Sequence, residues 1–340
     1  MPQDHTPPRI SALVIHYGDP SLTRRCLASL DGFDEIVVVD HPPTRLGSDT
    51  QTLPPGIRVI GPDRNLGFAG GCNAGIAEIE NEFVFVINND AELASGGIAK
   101  LRALITDLAD DVAVVCPKVL SSDGAQLQSI AGMRFSADFI GVPRGFRRPD
   151  DNRYDSIVDC AAPSGAAFLV RARAWRDVGG MSQEFFCYCE DGDLGLRLIA
   201  AGHRITAAHN VVVRHALSEG STVYSLQKAY LVERNRIWTA IHVAPAERLA
   251  LLPLATAVRL FAMALDALRG RGAAAGMGQE ATALALVSTL LRAWWDALRG
   301  LPAALSTRRR TLVDAAARNR VRNALAAHRA TLSELIQPRK

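Results

Sequence analysis

The sequence predicts an α/β fold in which helices cover both faces of a mostly parallel β-sheet, with a helical appendage at the C-terminus. Three observations support this prediction. Short apolar runs alternate with helical patterns over the first 115 residues. These runs lack polar alternation, which is typical of parallel strands buried on both faces. From residue 224 onwards the chain shows helical patterns separated by breaks that contain Gly or Pro.

Length and charge indicate how the chain is divided. At 340 residues it can hold a domain of about 200 to 250 residues and an appendage. We therefore predict one domain over residues 1–243 and a basic helical region over residues 244–340. Residues 246–340 contain 15 Lys+Arg against 6 Asp+Glu, a local net charge of +9. This excess favours an anionic membrane surface as partner, and a solvated helical face is the open alternative.

Cysteine spacing and the apolar runs bear on the compartment. The six cysteines form no C-x-x-C pair, so we expect reduced, mostly buried thiols in a cytoplasmic protein. The N-terminus has no apolar core typical of a secretory signal. The apolar run 249–258 contains Pro253 and ends before Arg259, which is too short to span a bilayer. Any membrane association is expected to be peripheral, on the inner face of the plasma membrane.

The predicted strands of the first half are residues 11–15, 35–39, 57–60, 83–87 and 112–115. Ligands of parallel sheets bind at the carboxyl ends of the strands, where Asp40, the loop 65–73 and Asp90 follow. Asp40 could equally cap a turn, and residues 88–90 could form an ordinary Asx turn. These alternatives stay open at this point.

The loop 65–73 is rich in glycine but matches neither a dinucleotide fingerprint nor a P-loop. Neither dinucleotide binding nor P-loop NTPase chemistry is therefore predicted. Its glycines do allow a ligand to approach the backbone closely at a helix start, where amide groups would face an anion.

The stretch 163–203 holds three carboxylates at the start of a predicted helix, namely Glu190, Asp191 and Asp193. Acids there favour the helix macrodipole, and Asp193 with Arg197 forms an i, i+4 pair. They follow aromatic residues and cysteines rather than a polar loop, and carboxylates beside apolar surface are costly unless they hold a cation or a proton. The setting favours a functional site.

The remaining segments are less regular. Residues 117–159 predict a long, partly irregular connection, and residues 204–206 and 211–214 predict strands. His215 then follows, either as a structural histidine or as a metal ligand. The predicted tail helices are residues 224–243, 246–268, 279–298 and 311–336. Trp294 and Trp295 lie beside arginines in a pattern suited to lipid headgroups, with helix packing or self-association as the alternative.

Several motifs occur together in a fixed order: VVVD at 37–40, NLGFAGGCNAGI at 65–76, FVFVINND at 83–90, and the stretch 165–205, followed by His215 and Arg234-Asn235. With them the sequence resembles the family 2 glycosyltransferases of the GT-A fold, over roughly residues 10–243. It is close to the rhamnosyltransferase-like members that act on bacterial surface polysaccharides. The ordered set is far more specific than any single motif.

The resemblance implies roles for particular residues. Asp40 would bind the nucleotide base, and the loop would lie along the nucleotide through Asn65, Gly67, Gly70, Gly71 and Asn73. Asp90, in a D-x-D-like motif, would hold a divalent metal, Mg²⁺ or Mn²⁺, and His215 would match a histidine that joins the metal site in some relatives. Asp191 would be the catalytic base, with Glu190 beside it.

The chain departs from the family pattern at four places. His16-Tyr17-Gly18 replaces Asn-Tyr-Asn, and His41 replaces the Asn after Asp40. Residues 181–183 replace Phe-Asp-Glu, and Cys72 replaces an Asn. The change at 181–183 puts in doubt any acceptor contact carried by those acids, but none removes a residue that the chemistry requires.

The function expected from the resemblance is inverting glycosyl transfer from a nucleotide-diphosphate sugar, with dTDP-rhamnose as the suggested donor. The acceptor would be a glycan or a polyprenyl-linked sugar; no nucleic-acid partner is expected, and oligomerisation is open. An inactive GT-A-like scaffold at a membrane is the alternative. A sugar-1-phosphate nucleotidyltransferase is disfavoured because residues 16–25 lack a Gly-rich basic loop.

Overall fold

The computed structural model describes residues 8–44, 46, 53–54, 56–216, 225–269 and 282–336. The strands within these ranges are β1 Ile10–His16, β2 Glu35–Asp40, β3 Ile57–Ile60, β4 Phe83–Asn88, β5 Ala91–Leu93, β6 Val112–Ser121, β7 Leu127–Ser129, β8 Met133–Phe135, β9 Gly141–Pro143, β10 Ala167–Arg171 and β11 Arg204–His215. Nine of them form one sheet in the order β3-β2-β1-β4-β10-β6-β11-β5, with β7 paired to β6. β8 and β9 form a separate hairpin.

The sheet is mixed because β10 enters between two strands that run the other way. β1, β2, β3 and β4 pair in parallel, as do β6 and β11. β10 is antiparallel to both β4 and β6, and β5 is antiparallel to β11. This arrangement brings the residues that precede β10 to the carboxyl end of β4.

The helices are α1 Pro20–Ala28, α2 Gly67–Ala77, α3 Gly97–Thr106, α4 Ala172–Asp177, α5 Glu190–Ala200, α6 Leu226–Val243, α7 Ala246–Leu268, α8 Ala283–Arg299, α9 Leu301–Thr311, α10 Ala315–Ala327 and α11 Leu332–Ile336. α1 and α3 pack on one face of the sheet, where Leu27 and Leu101 join its apolar core. α2 and α5 cover the other face through residues such as Ile76 and Leu198. The prediction of a mostly parallel sheet with helices on both faces is confirmed.

α5 is fixed by a buried charge network around Asp193, whose side chain is 0% exposed. Asp193 Oδ2 accepts from Arg197 Nε at 2.7 Å, and Asp193 Oδ1 lies 2.7 Å from His242 Nδ1 on α6. Arg197 also donates to the carbonyls of Val178 and Gly180 at 2.8 and 2.6 Å. One carboxylate therefore ties α5 to α6 and to the turn after α4.

The C-terminal helices pack on the sheet domain. Trp238 Nε1 on α6 donates to the Ala297 carbonyl of α8 at 3.0 Å. Phe135 in β8 exchanges backbone hydrogen bonds with the segment after α10, donating to His328 O at 2.9 Å and accepting from Ala330 N at 2.8 Å. The Phe135 ring also lies against Gly192 of α5. Residues 328–330 thus complete a small sheet next to the start of α5.

α7 corrects the expectation that the apolar run near residue 250 is too short to span a bilayer. The helix continues through Pro253 and Arg259 for 23 residues, and an 18-residue window within it has a mean hydropathy of 1.7, so by length and composition alone it could cross a membrane. Yet Arg259 is only 6% exposed, and it donates to Asp138 Oδ2 at 2.5 Å and to Glu233 Oε2 at 2.7 Å. This face of α7 is docked on the protein by ion pairs.

Other boundaries differ from the sequence prediction for identifiable reasons. Residues 204–215 form one strand interrupted by a register shift between Ala208 and Val212, rather than two strands. Residues 311–336 are not one helix, because Asp314 caps α10 by accepting from Ala317 N and a bridge to β8 separates α10 from α11. Within residues 117–159, three short strands occur. The predicted breaks at 270–272 and 276–278 lie outside the described residues.

We expect Asp193→Asn to lower the free energy of unfolding by about 3–5 kcal/mol, because it leaves the buried Arg197 without its charge partner. Burial raises the pKa of Asp193, but Arg197 and His242 outweigh it and hold the pKa well below its ordinary value. The contribution is therefore present above the unfolded-state pKa of about 3.9 and is lost as the pH falls through the folded-state pKa. Urea denaturation at pH 7 and at lower pH values would measure both effects.

Asp177→Asn is the matched control, since Asp177 pairs with Arg173 at the same i, i+4 spacing but on an exposed helix face. An exposed pair of this kind contributes only about 0.3–0.5 kcal/mol. Equal losses for the two variants would contradict the structural role given to Asp193.

Candidate active site

The predicted nucleotide-base residue, Asp40, lies at the carboxyl end of β2 directly opposite His16 of β1. Asp40 is buried, its Oδ1 lies 3.8 Å from His16 Nε2, and it accepts from Leu46 N at 3.0 Å. Burial lowers the pKa of His16, so its imidazole is neutral at pH 7. His16 Nδ1 lies 2.6 Å from Thr23 Oγ1, and Nε2 contacts the Thr44 carbonyl. Asp40 thus stands on a rigid strand end rather than on a loose turn.

Asn89 and Asp90, which follow β4, contact different parts of the protein. Asn89 Nδ2 donates to Tyr17 O at 3.0 Å and to Thr23 Oγ1 at 3.1 Å, which ties it to the loop after β1. Asp90 instead faces β11, where its Oδ1 lies 3.0 Å from His215 Nε2. The structure therefore brings together the two residues that the resemblance assigns to a metal.

Gln128 in β7 determines how His215 presents its ring to Asp90. Gln128 Nε2 donates to the His215 carbonyl at 2.7 Å, so Gln128 Oε1 is the acceptor that faces His215 Nδ1 at 2.6 Å. The hydrogen of the neutral imidazole then resides on Nδ1, and the Nε2 lone pair points at Asp90. Sequence reasoning missed Gln128, because nothing in the β7 pattern marks it as a partner of His215.

An acceptor nitrogen and a carboxylate oxygen that face each other need a cation between them, either a proton or a metal ion. Adjacent ligands of an octahedral ion at about 2.1 Å lie about 3.0 Å apart, which matches the Asp90–His215 separation. Among the described residues no three His, Cys, Asp or Glu side chains form a metal-binding group. The pair fits a metal whose other ligands come from substrate or water.

The predicted nucleotide loop forms the start of α2. Asn65 Oδ1 accepts from Gly67 N at 2.8 Å, and Gly67 has a φ of 68°. A Cβ on Gly67 would lie 2.3 Å from the Phe186 carbonyl oxygen, and one on Gly71 would lie 2.9 Å from His41 Cε1. These glycines allow α2 to approach β1 and the segment before α5; Gly70 lies between them on the same buried turn.

Asn73 lies near the middle of α2 and faces away from the helix start. Its Nδ2 donates to Met181 O at 2.7 Å, and its Oδ1 accepts from Met181 N at 3.0 Å. Both ends of this amide therefore bond to the protein backbone. The contacts support a structural role for Asn73 and give no support to its predicted contact with a nucleotide.

Asp191 occupies the first turn of α5 with its carboxylate held by two backbone amides. Gly165 N donates to Oδ2 at 2.8 Å, and Gly192 N donates to Oδ1 at 2.7 Å. Burial outweighs these hydrogen bonds and raises the pKa of Asp191 to about 6. A carboxylate with this pKa is a competent proton acceptor near neutral pH.

Glu190, the other predicted catalytic acid, is buried at 4% exposure. Burial, reinforced by the charge of Asp191, raises the pKa of Glu190 well above its ordinary value. Its Oε2 has no hydrogen-bond partner among the described residues. Burial therefore disfavours the charged form of Glu190.

Residues 164–166 link the end of β4 to the candidate base. Ala166 O accepts from Asn88 N at 2.9 Å, which places the segment beside the strand end that leads to Asp90. Gly165 N donates to Asp191 Oδ2, and a Cβ at Gly165 would lie 3.1 Å from that oxygen. One short segment therefore contacts both Asp191 and Asn88, two residues before Asp90. The sequence analysis did not predict the contact between Gly165 and Asp191.

A cavity lies at the other end of α5. It has a volume of about 640 Å³ and is lined by residues of α4, α5, α9 and α10, including Arg197, Arg310 and Arg320. Asn73 is the one predicted site residue on its wall. We place the candidate site at the Asp90–Asp191 edge because the titratable groups and metal donors converge there.

Comparison with known proteins agrees with the motifs. Residues 11–173 match the model of glycosyl transferase family 2. This match covers just under half of the chain, which is similar to a family 2 glycosyltransferase domain over those residues. Over 70 residues it is 43% identical to the rhamnosyltransferase WbbL of Escherichia coli K12, which is 20% of this chain and 25% of that relative. The glycosyltransferase match thus covers the strands and loops that hold Asp40 and Asp90.

Solved structures identify the fold of the chain. GalNAc-T7 with UDP, GalNAc and Mn²⁺ superposes with a TM-score of 0.55 at 14% identity, over 71% of this chain and 49% of that chain. S. aureus TarS residues 1–349 with UDP-GlcNAc superposes with a TM-score of 0.52 at 15% identity, over 94% and 90% of the two chains. The predicted GT-A fold is confirmed. The chain spans a quarter of WbbL and about half of the GalNAc-T7 chain.

Proposed function

We propose that the protein is an inverting glycosyltransferase that moves a sugar from a nucleotide-diphosphate donor to a glycan or lipid-linked acceptor. The observation that carries the proposal is the Asp90–His215 pair just after β4, together with the segment 164–166 that joins Asn88 at the end of β4 to Asp191. A cation site and a carboxylate base at one edge of the sheet are what this transfer requires.

The donor nucleotide is proposed to lie between the carboxyl end of β2 and the start of α2. Asp40 would contact the base, and Asn65, Gly67, Gly70 and Gly71 would line the path of the nucleotide. The first amide groups of an 11-residue helix attract an anion, which supports placing phosphates near α2. We leave Asn73 out of this set because its amide bonds to Met181.

Asp90 and His215 are proposed to hold a divalent metal, Mn²⁺ or Mg²⁺, and the structure of GalNAc-T7 is described with UDP and Mn²⁺. When bound, such an ion neutralises charge on the diphosphate leaving group. The Gln128 contact would keep His215 in the tautomer that offers Nε2.

Asp191 is proposed to accept the proton of the acceptor hydroxyl. The acceptor oxygen forms a bond to the anomeric carbon, and the bond from that carbon to the phosphate oxygen breaks, so the nucleoside diphosphate leaves with the electron pair. One displacement on the opposite face of the sugar inverts the anomeric configuration. Asp191 is the single base, and no second nucleophile is proposed.

Two finer assignments complete the proposal. A dTDP-rhamnose donor is supported by the 70-residue match to a rhamnosyltransferase. A polyprenyl-linked acceptor is supported by the exposed apolar faces of α7 and α8. On α7 this face consists of side chains spaced three or four residues apart: Leu251, Leu254, Val258, Phe261, Leu265 and Leu268. On α8 it consists of Leu284, Val287, Leu291, Trp295 and Leu298.

The α7–α8 apolar face, defined by those residues, is proposed to lie in the plane of an anionic membrane. Arg259 docks the opposite side of α7 through Asp138 and Glu233, so the helix lies along the protein surface. The exposed Arg292 and Arg299 flank the face on α8, and cations beside an apolar helix face favour anionic lipid. The protein would act at the inner face of the plasma membrane.

Asp191→Asn is expected to lower kcat by about 10²- to 10⁴-fold, because the acceptor proton loses its base. In the unaltered protein kcat should fall as the pH drops below about 6, since the raised pKa of Asp191 leaves it protonated there. Transfer from dTDP-rhamnose and from other nucleotide sugars would be measured by release of the nucleoside diphosphate. Glu184→Gln is the control and should retain most activity, since Glu184 is an exposed acid ahead of the same helix. Near-full turnover by Asp191→Asn would exclude it as the base.

Gln128→Leu is expected to weaken Mn²⁺ binding by about 10- to 100-fold, because it removes the hydrogen bond that orients His215. Calorimetric titration of Mn²⁺ in the presence of dTDP would measure this affinity, with Asp90→Asn as the variant that loses a ligand outright. Gln126→Leu, two residues away on an exposed loop, is the matched control. Unchanged Mn²⁺ affinity in Asp90→Asn would reject the metal site.

The double variant Leu254→Ser/Phe261→Ser should reduce binding to phosphatidylglycerol-containing liposomes by about 100-fold, from the lost transfer of two large apolar side chains. Flotation of the full chain would measure it. Val158→Ser, an equally exposed apolar residue on the sheet domain, is the control. A change in oligomeric mass without a change in flotation would assign the face to self-association instead.

A further inference from the structure

The chain just before the candidate base follows an unusual path, which we call the left-handed segment, residues 185–189. Phe186, Tyr188 and Cys189 have φ angles of 64°, 69° and 69°, although none is glycine. Cys187 N donates to Phe185 O at 2.7 Å, which closes a tight γ-turn around Phe186. Side chains disfavour this backbone region, so surrounding contacts must hold the segment in place.

Asn235 of α6 holds the left-handed segment in place. Its Nδ2 donates to the carbonyls of Phe185, Cys187 and Tyr188 at 2.9, 2.9 and 2.8 Å. The hydrogen-bond ladder of α5 begins only at Cys189 O, which accepts from Asp193 N, so the earlier carbonyls require another donor. Asn235 is 0% exposed, and no water competes for its amide.

Arg234 orients this amide. Its Nε donates to Asn235 Oδ1 at 2.9 Å, which leaves Nδ2 pointing to the left-handed segment. Its Nη2 donates to the carbonyls of Glu184 and Phe185 at 2.9 and 3.2 Å. The guanidinium also lies 4.5 Å from the centre of the Trp238 ring. The Arg234-Asn235 pair thus contacts the carbonyls of residues 184, 185, 187 and 188, ahead of α5.

We propose that Asn235, oriented by Arg234, is a positioning residue for Asp191. It fixes the left-handed segment, and the segment fixes both the first turn of α5 and the start of α2, where Ala69 N donates to Phe186 O at 3.2 Å. One amide on α6 therefore sets the relative placement of the base and the donor loop. This inference rests on the proposed transferase function.

The test is Asn235→Asp, which keeps the shape of the side chain but replaces the donor by a carboxylate facing three carbonyl oxygens. We expect kcat to fall by about 10- to 100-fold through misplacement of the base. The affinity for Mn²⁺ alone should stay within about threefold, since the Asp90–His215 pair is not contacted. Arg234→Lys keeps the charge but loses the fork that orients the amide, and should give a smaller loss of kcat.

Arg308→Gln is the matched control for general loosening of α6, because Arg308 donates to the carbonyls of Ile241 and Ala244 at the other end of that helix. It should lower thermal stability without lowering kcat. A loss of kcat in Asn235→Asp no larger than in Arg308→Gln at equal stability would overturn the positioning role.

A second measurement does not depend on transferase activity. Burial raises the pKa of the Cys187 and Cys189 thiols, so both should react slowly with iodoacetamide in the native protein. In Asn235→Asp and Arg234→Lys we expect their alkylation to accelerate at least about tenfold relative to the buried Cys26. If the native protein lacks transferase activity, the proposed function is wrong. The alkylation rates alone then show whether Asn235 and Arg234 keep the left-handed segment in place. Unchanged alkylation and kcat in both variants would overturn the inference.

Discussion

The neutralisation of Asp193 is the interaction on which the site depends. Three carboxylates crowd the first turn of α5, and helix geometry alone would make their mutual repulsion costly in a buried setting. The protein gives each a different environment: Asp193 has Arg197 and His242, Glu190 has a burial that raises its pKa, and Asp191 has two backbone amides. Only the last is left half-buried and able to exchange a proton near neutral pH.

Much of this arrangement was predictable because it follows from local patterns. The buried strands, the acids at the start of α5 and the carboxyl-edge positions of Asp40 and Asp90 all follow from periodicity and from the rule for parallel sheets. The partners of these residues were not predictable. Gln128, Gly165 and Asn235 act through hydrogen bonds to residues 26 to 87 positions away, and such long-range pairings leave no trace in a local pattern.

The C-terminal helices also combine features that follow from the local sequence with features that depend on distant residues. The helical periodicity of residues 246–268 was clear, but Pro253 and Arg259 suggested an early end to the apolar run. The structure accommodates both, because Arg259 finds Asp138 and Glu233 in the sheet domain. An arginine that interrupts an apolar pattern can therefore either end the apolar run or anchor a surface helix through ion pairs. Only the partners of the arginine distinguish these two cases.

The pairing of Phe135 with residues 328–330 has a consequence for biosynthesis. The β8–β9 hairpin, whose Phe135 ring lies against Gly192, forms a β-bridge with residues 328–330, which are synthesised much later. At synthesis rates of about 5–20 residues per second, about 10–40 s pass between the synthesis of β8 and that of residues 328–330. During that interval the nascent polypeptide exposes an unfinished sheet edge, a surface on which chaperones commonly act.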